Sequence, residues 1–220
     1  DIVWTPEFAQ QGVLAAMDEV MPDFQAYADE TFPGPLSTNY YEGHYYGLPL
    51  DTNTRIFFYN AALFEEAGLE APATVEDLQA ACPAIKALGD DKFAFSDGGT
   101  GGWNILPWIW SFGGSITDAE ATVATGYLNS PETAAAYTFV KQMVDEGCFT
   151  DGMLGSGIDT GAGYFNGTIG SMLEGPWMFP IFAAQYPDAE ITTTLMPAGD
   201  GGSVSVVGGE NIVMFSTSQQ

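Results

Sequence analysis

The chain has 220 residues, 46% of them hydrophobic, enough to bury a core in one large domain or two small ones. Its formal charge of −25 reflects a scarcity of base, with only Arg55, Lys86, Lys92 and Lys141 against 29 Asp and Glu; this sets the surface against nucleic acid, anionic lipid headgroups and phosphorylated or strongly anionic ligands. Only 15% of residues are charged, which excludes a disordered acidic tail, and no apolar run reaches the roughly 18–20 residues of a membrane-spanning helix.

Asp1-Ile2-Val3-Trp4 reads as a short buried strand, Thr5-Pro6-Glu7 as a turn, and residues 7–17 as a helix with Phe8, Val13, Leu14 and Met17 apolar. Residues 18–44, with Pro22, Pro33, Gly34 and Pro35, read as short helices and loops. Ile56 to Tyr59 is a strand entered through a polar turn and left at Asn60 into a helix over 61–67, which Gly68 ends. Thr74 caps the next helix with Asp77 at the capping-box position, and Pro83 is expected to kink or break it before Leu88-Gly89.

Lys92 to Phe95 reads as a strand, Ser96 to Gly102 as a glycine-rich loop, and Asn104 to Phe112 as a helix stopped by Gly113-Gly114. Ser130-Pro131 opens a helix over 131–146 with Ala135, Phe139 and Met143 spaced at four. After a glycine-rich stretch at 150–163 come a short helix ending at Tyr164 to Gly167, a strand from Thr168 to Leu173, and a helix opened by Gly175-Pro176-Trp177 and running to Gln185. Strands at 191–195 and 212–215 follow, with a turn from Pro197 to Gly202 between them. Short strands alternating with helices give the α/β class.

Cys82 and Cys148 match no zinc or CxxC spacing; two buried thiols are expected, with a disulfide as the alternative in an oxidising compartment. Arg55, at a strand start, is expected to serve as a structural ion-pair partner. His44, the single histidine, is expected to be exposed or locally bonded, and Trp108 and Trp110, inside a helix, to pack in the core. No P-loop, no GxGxxG after a strand, no G-x-S-x-G and no H-E-x-x-H occurs, and no cofactor or metal is implied.

Several stretches in order resemble one family: the maltose-binding-protein-like extracellular solute-binding proteins of sugar ABC importers. They are Asp1 to Trp4, Gly43 to Asn60, Thr74-Val75-Glu76-Asp77-Leu78 (with Val75 where the family has Trp), Ser111-Phe112-Gly113-Gly114, Phe165-Asn166-Gly167, Met172-Leu173-Glu174-Gly175-Pro176-Trp177, and Gly208-Gly209-Glu210-Asn211. The resemblance implies a two-lobed, type II periplasmic-binding-protein-like α/β fold, here mostly lobe two with an incomplete lobe one, as the central part of a longer protein. It places partial lobe one and the first crossing at 1–52, lobe two at 53–207, and the return crossing at 208–220. Missing sheet partners would then leave exposed edges in lobe one.

The resemblance further implies a non-catalytic, extracytoplasmic binder, a cell-surface lipoprotein or periplasmic protein, whose lipid anchor would lie outside this sequence. It would take a carbohydrate in an interlobe cleft by hinge closure and deliver it to the membrane subunits of an ABC transporter. Carbohydrate sites pair flat aromatics with planar polar groups. The corresponding residues here are Trp4, Trp103 and Trp177 for stacking, Asp51 and Asn53 at the first crossing, Glu7 and Gln10 after the first strand, and Gly209 and Glu210 at the return crossing. Each has a structural alternative: core packing for the tryptophans, local backbone bonding for Asp51 and Asn53. A polyamine or other cation as ligand, suggested by the charge, and a carbohydrate-active enzyme module are the competing readings.

Overall fold

The computed structural model describes residues 1–156 and 159–219. From the N-terminus come helices α1 (Trp4–Gln10), α2 (Met17–Val20), α3 (Phe24–Asp29) and α4 (Pro33–Ser37), then strands β1 (Tyr40–Tyr41), β2 (His44–Tyr45), β3 (Gly47–Pro49), β4 (Asn53–Thr54) and β5 (Ile56–Tyr59). Helices α5 (Ala61–Glu66), α6 (Val75–Ala87), α7 (Gly102–Ser111) and α8 (Pro131–Asp145), a 3-10 turn (Asp151–Leu154) and α9 (Thr160–Phe165) follow. The order closes with β6 (Ser171–Glu174), α10 (Met178–Gln185), β7 (Thr193–Thr194), β8 (Val207–Gly208) and β9 (Asn211–Val213). Two units result: Asp1–Thr54 with Val207–Gln220, and Arg55–Val206.

In the first unit, β3 pairs antiparallel with β9 through Leu48↔Ile212, and β4 with β8 through Asn53↔Gly208. Its small core joins Phe24, Ala28 and Leu48 to Met17, Met21, Leu36 and Tyr45. Asn211 fastens the elements: its Nδ2 donates to the hydroxyls of Thr5 (3.0 Å) and Thr38 (3.1 Å), and its Oδ1 accepts from Asn39 Nδ2 (3.0 Å). The expected strand at Asp1–Trp4 is absent; Ile2 and Val3 lie in a turn and α1 begins at Trp4. Pro6 falls in the first helical turn, where its missing N–H costs nothing, so Thr5-Pro6-Glu7 starts the helix rather than interrupting the chain. His44 keeps its side chain 42% exposed, with Nδ1 3.4 Å from Asp18 and 3.7 Å from Glu19.

The second unit is built on β5, the central strand of a three-stranded antiparallel sheet ordered β6-β5-β7. The register sets Ile56 opposite Glu174, Phe57 opposite Leu173 and Phe58 opposite Met172. Successive side chains of a strand point to opposite faces, and β5 is buried on both. Phe57 joins a large cluster with Leu78, Phe95, Trp108, Phe139 and Met143, while Phe58 joins a smaller one with Tyr164, Met172 and Phe182. That is why the strand reads as an unbroken apolar run. Trp108 is fully buried and Trp110 packs half-buried against the larger cluster.

Lys92–Phe95 forms no regular strand, making only single parallel bridges, Phe93↔Ile169 and Phe95↔Phe149. The strands expected at 168–173, 191–195 and 212–215 are shorter, as β6, β7 and β9, with β6 ending one residue later and β9 starting one residue earlier than expected. On α8 the buried positions are Thr133, Ala136, Phe139, Val140 and Met143, so the inward stripe runs through Ala136 instead of Ala135. The part of the 150–163 reading that falls on Gly157 and Ile158 lies outside the described residues.

Helix α6 passes through Pro83 unbroken. Its capping box is complete, with Asp77 N–H donating to Thr74 Oγ1 (3.0 Å) and Thr74 N–H to Asp77 Oδ2 (2.9 Å). The Thr74 side chain, then the Thr74 and Ala73 amides, hold the Asp77 carboxyl below its ordinary value. A depressed carboxyl stabilises the fold above its unfolded value of about 4 and loses that contribution as pH falls through the folded value. Thr74→Ala is therefore expected to cost about 1 kcal/mol at neutral pH and to flatten the acid limb of stability below about pH 4. Urea titrations of both proteins at neutral and acid pH check this; parallel pH profiles would refute it.

The two cysteines are bonded. Cys82 on α6 and Cys148 just beyond α8 form a disulfide with Cα atoms 5.3 Å apart, correcting the expectation of two free thiols. The approach is made by α6 and the segment after α8 packing on one core, a tertiary fact that spacing does not carry.

Candidate functional site

In the second unit, Trp103 and Trp177 come together, with ring centroids 6.3 Å apart and planes inclined by 30°. Trp103 sits in the first turn of α7, behind the glycine-rich loop, and is half-buried; Trp177 is the N-cap residue of α10 and is 38% exposed. Each ring is held by the β5–β6 ladder. Arg55, immediately before β5, places its guanidinium 5.9 Å from the Trp103 ring centroid and donates to the Trp103 carbonyl (3.3 Å). Glu174, the last residue of β6, accepts from Trp177 Nε1–H at 3.2 Å and from Gly175 N–H at 3.3 Å through one carboxylate oxygen.

Arg55 is itself held in place. Its two terminal nitrogens donate to both oxygens of Asp97 at 3.0 and 2.9 Å, and it also donates to the Leu173 carbonyl. Asp97 accepts further from Gly98 N–H (2.6 Å) and Asn104 Nδ2 (2.5 Å). Arg55 is thus the structural ion-pair partner expected from its strand-start position; the pair is buried and its charge is cancelled where it stands. The Trp pair therefore offers π surface and the acceptor oxygens of Glu174, a surface suited to the C–H face of a neutral ring and unsuited to an anion.

In the first unit the predicted residues fall in two places. Trp4, Glu7 and Gln10 are exposed along α1, where a strand end was expected. Trp4 is 55% exposed, with Phe8 beside it at 6.3 Å, so it does not pack in the core. Glu7 accepts from Gln11 (3.3 Å). Asp51, Gly209 and Glu210 meet where the segment after β3 runs beside the turn between β8 and β9: Asp51 Oδ1 accepts from Glu210 N–H (3.0 Å) and Leu50 N–H donates to the Glu210 carbonyl (2.8 Å). Gly209 has φ 141°, and a Cβ there would strike the Asp51 carbonyl, so the position admits only glycine. Asn53 pairs with Gly208 across β4–β8, and its buried Oδ1 has no hydrogen-bond partner among the described residues.

Sequence reasoning did not single out Asp97 or Glu174 as anchors of the aromatic pair. For Glu174 a signal was present: an acceptor three residues before a tryptophan, separated from it by Gly-Pro.

The family model of the bacterial extracellular solute-binding proteins matches residues 1–220. A Brucella abortus binding protein is 30% identical over 226 residues, covering 98% of this chain and 53% of its own length. The GacH receptor of Streptomyces glaucescens, solved unliganded and with acarbose, superposes with a TM-score of 0.81 at 26% identity, over 99% of this chain and 56% of that one. The cyclic α-maltosyl-1,6-maltose binding protein of Arthrobacter globiformis does so with a TM-score of 0.78 at 28% identity, over 99% and 55%. The chain thus spans about half the length of the relatives it matches, and its α/β architecture is that of the two-lobed periplasmic-binding-protein-like fold. On the match over its whole length, the chain belongs to the bacterial extracellular solute-binding protein family.

Proposed function

We propose that this chain is part of the saccharide-binding component of an ABC importer, working outside the cytoplasm, and that Trp103 and Trp177 form a stacking platform for a sugar ring. The observation that carries the reading is the half-exposed pair itself, two indoles at 6.3 Å anchored from one end of the β5–β6 ladder. Stacking on the apolar face of a pyranose uses π surface without needing charge. That acarbose and a cyclic maltosaccharide are bound by the similar proteins supports an α-linked glucoside or a close analogue as ligand. The reading is of a carrier and not an enzyme. Its partners would be the sugar and the importer's membrane subunits, with any membrane attachment made by a lipid anchor.

The test is a thermal-shift screen of the full-length protein against maltose, maltotriose, acarbose and monosaccharides, with polyamines as controls, since a ligand that binds only the folded state raises the midpoint by mass action. A shift with one saccharide class supports the reading. Shifts with polyamines alone would replace it with a cation-binding function, which the charge of −25 would favour. Trp177→Ala is expected to weaken saccharide binding by more than about tenfold with the fold intact. Unchanged affinity would remove Trp177 from the site.

A further inference from the structure

We infer that Glu174 is a positioning residue that locks the Trp177 indole in its stacking orientation before any ligand arrives. The inference rests on the reading of Trp177 as a stacking surface, but its geometry stands independently of any ligand. Three contacts fix the ring. Glu174 Oε2 takes the indole N–H at 3.2 Å, Gly175 abuts its six-membered ring, and Trp103 flanks it at 6.3 Å. The carboxylate is itself placed in two ways: the β-ladder register opposite Ile56 sets the Glu174 backbone, and Gly175 N–H donates to the same carboxylate oxygen at 3.3 Å.

Gly175 completes the device. A Cβ at that position would overlap the six-membered ring of Trp177, so the indole occupies space that any other residue would fill. Glu-Gly-Pro-Trp therefore encodes one local unit, an acceptor, a gap, a stiff turn and a ring. Tryptophan has a single hydrogen-bond donor. With Nε1–H consumed by Glu174, Trp177 presents its face to a ligand and not its N–H. The adjacent negative charge also makes that face more attractive to sugar C–H groups and repels carboxylated or phosphorylated sugars. A ring ordered in advance lowers the entropy lost on binding, which is the usual source of gain from preorganisation.

The test uses the full-length protein labelled with 15N-tryptophan, the Trp177 indole resonance being assigned by its loss in Trp177→Phe. In the ligand-free protein, Glu174→Ala is expected to shift that resonance and speed its solvent exchange by about tenfold or more, while Glu174→Gln, which keeps an acceptor oxygen, leaves it near wild type. Gly175→Ala, with the carboxylate intact, is expected to displace the same resonance by pushing the ring away. With maltotriose as the probe, Glu174→Ala is expected to bind about five- to tenfold more weakly and Glu174→Gln to recover most of the affinity. An unchanged indole signal in Glu174→Ala overturns the inference whatever the binding result. Weaker binding with an unchanged indole would make Glu174 a direct ligand contact instead. If maltotriose fails to bind the wild type, the α-glucoside reading fails while the indole resonance still decides the role of Glu174.

Discussion

Replacing Asp97 with alanine is expected to destabilise the second unit by about 3–5 kcal/mol, the usual cost of stranding one charge of a buried ion pair. The Arg55 and Asp97 side chains are only 2% and 1% exposed, so the guanidinium left behind has no access to bulk water. The substitution also strips acceptors from Gly98 N–H and Asn104 Nδ2. Burial raises the Asp97 carboxyl above its ordinary value, opposed first by the charge and hydrogen bonds of Arg55, then by Gly98 and Asn104. A raised carboxyl contributes its stability fully below the unfolded value near about 4 and loses it as pH rises through the folded value. At neutral pH the ionised pair is therefore a device of placement more than a net source of stability. Accordingly, Arg55→Met combined with Asp97→Ala is expected to cost less than the sum of the two single changes, because the second removes the charge the first left unmatched. Denaturant titrations of the three variants give the cycle, and a single variant within about 0.5 kcal/mol of wild type would sink the argument. Because Arg55 also holds the Trp103 carbonyl and lies over its ring, Asp97→Ala should loosen one half of the aromatic pair as well.

The parts of this molecule that were legible in the sequence are those set by local chemistry. The run Ile56 to Tyr59 announced a strand, Thr74 with Asp77 a capped helix, and Ser130-Pro131 another, because each signal and its partner lie within four residues. The misreadings share an opposite cause. Asp1 to Trp4 is too short for periodicity to separate strand from helix, and Pro6 fits a first helical turn as well as it fits a loop. Lys92 to Phe95 is apolar enough for a strand, but its chain neighbours allow only single bridges. Pro83 ought to have interrupted α6; a complete capping box at one end and buried Leu78, Ala81, Cys82 and Ile85 along one face hold the helix across it. At the candidate site the tryptophans could be named from their motifs, whereas their approach, and the part played by Asp97, depend on strand register and on the bonds that the loop before α7 makes to Arg55 and Asn104.

Reducing the Cys82–Cys148 disulfide, or replacing both cysteines with alanine, is expected to lower the stability of the second unit by about 4 kcal/mol on the loop-entropy model. The bond closes a loop with a sequence separation of 66, long enough to constrain much of the unfolded chain. That loop contains α7, the glycine-rich tract before it and the whole of α8, so it also encloses Trp103 and Asp97. Both cysteines are buried in the large core cluster beside Leu78, Phe139 and Met143, so the thiols of the reduced protein would remain packed and the native state would change little. The loss should therefore appear as a lower denaturation midpoint with little change in native spectra. Pairing of this kind persists in oxidising compartments, in keeping with a family that works outside the cytoplasm. The measurement is a guanidinium titration with and without reductant, with free thiols counted in the unfolded state to verify that the bond is open. An unchanged midpoint in fully reduced protein would overturn the loop-entropy account, leaving the unfolded chain no freer without the bond than with it.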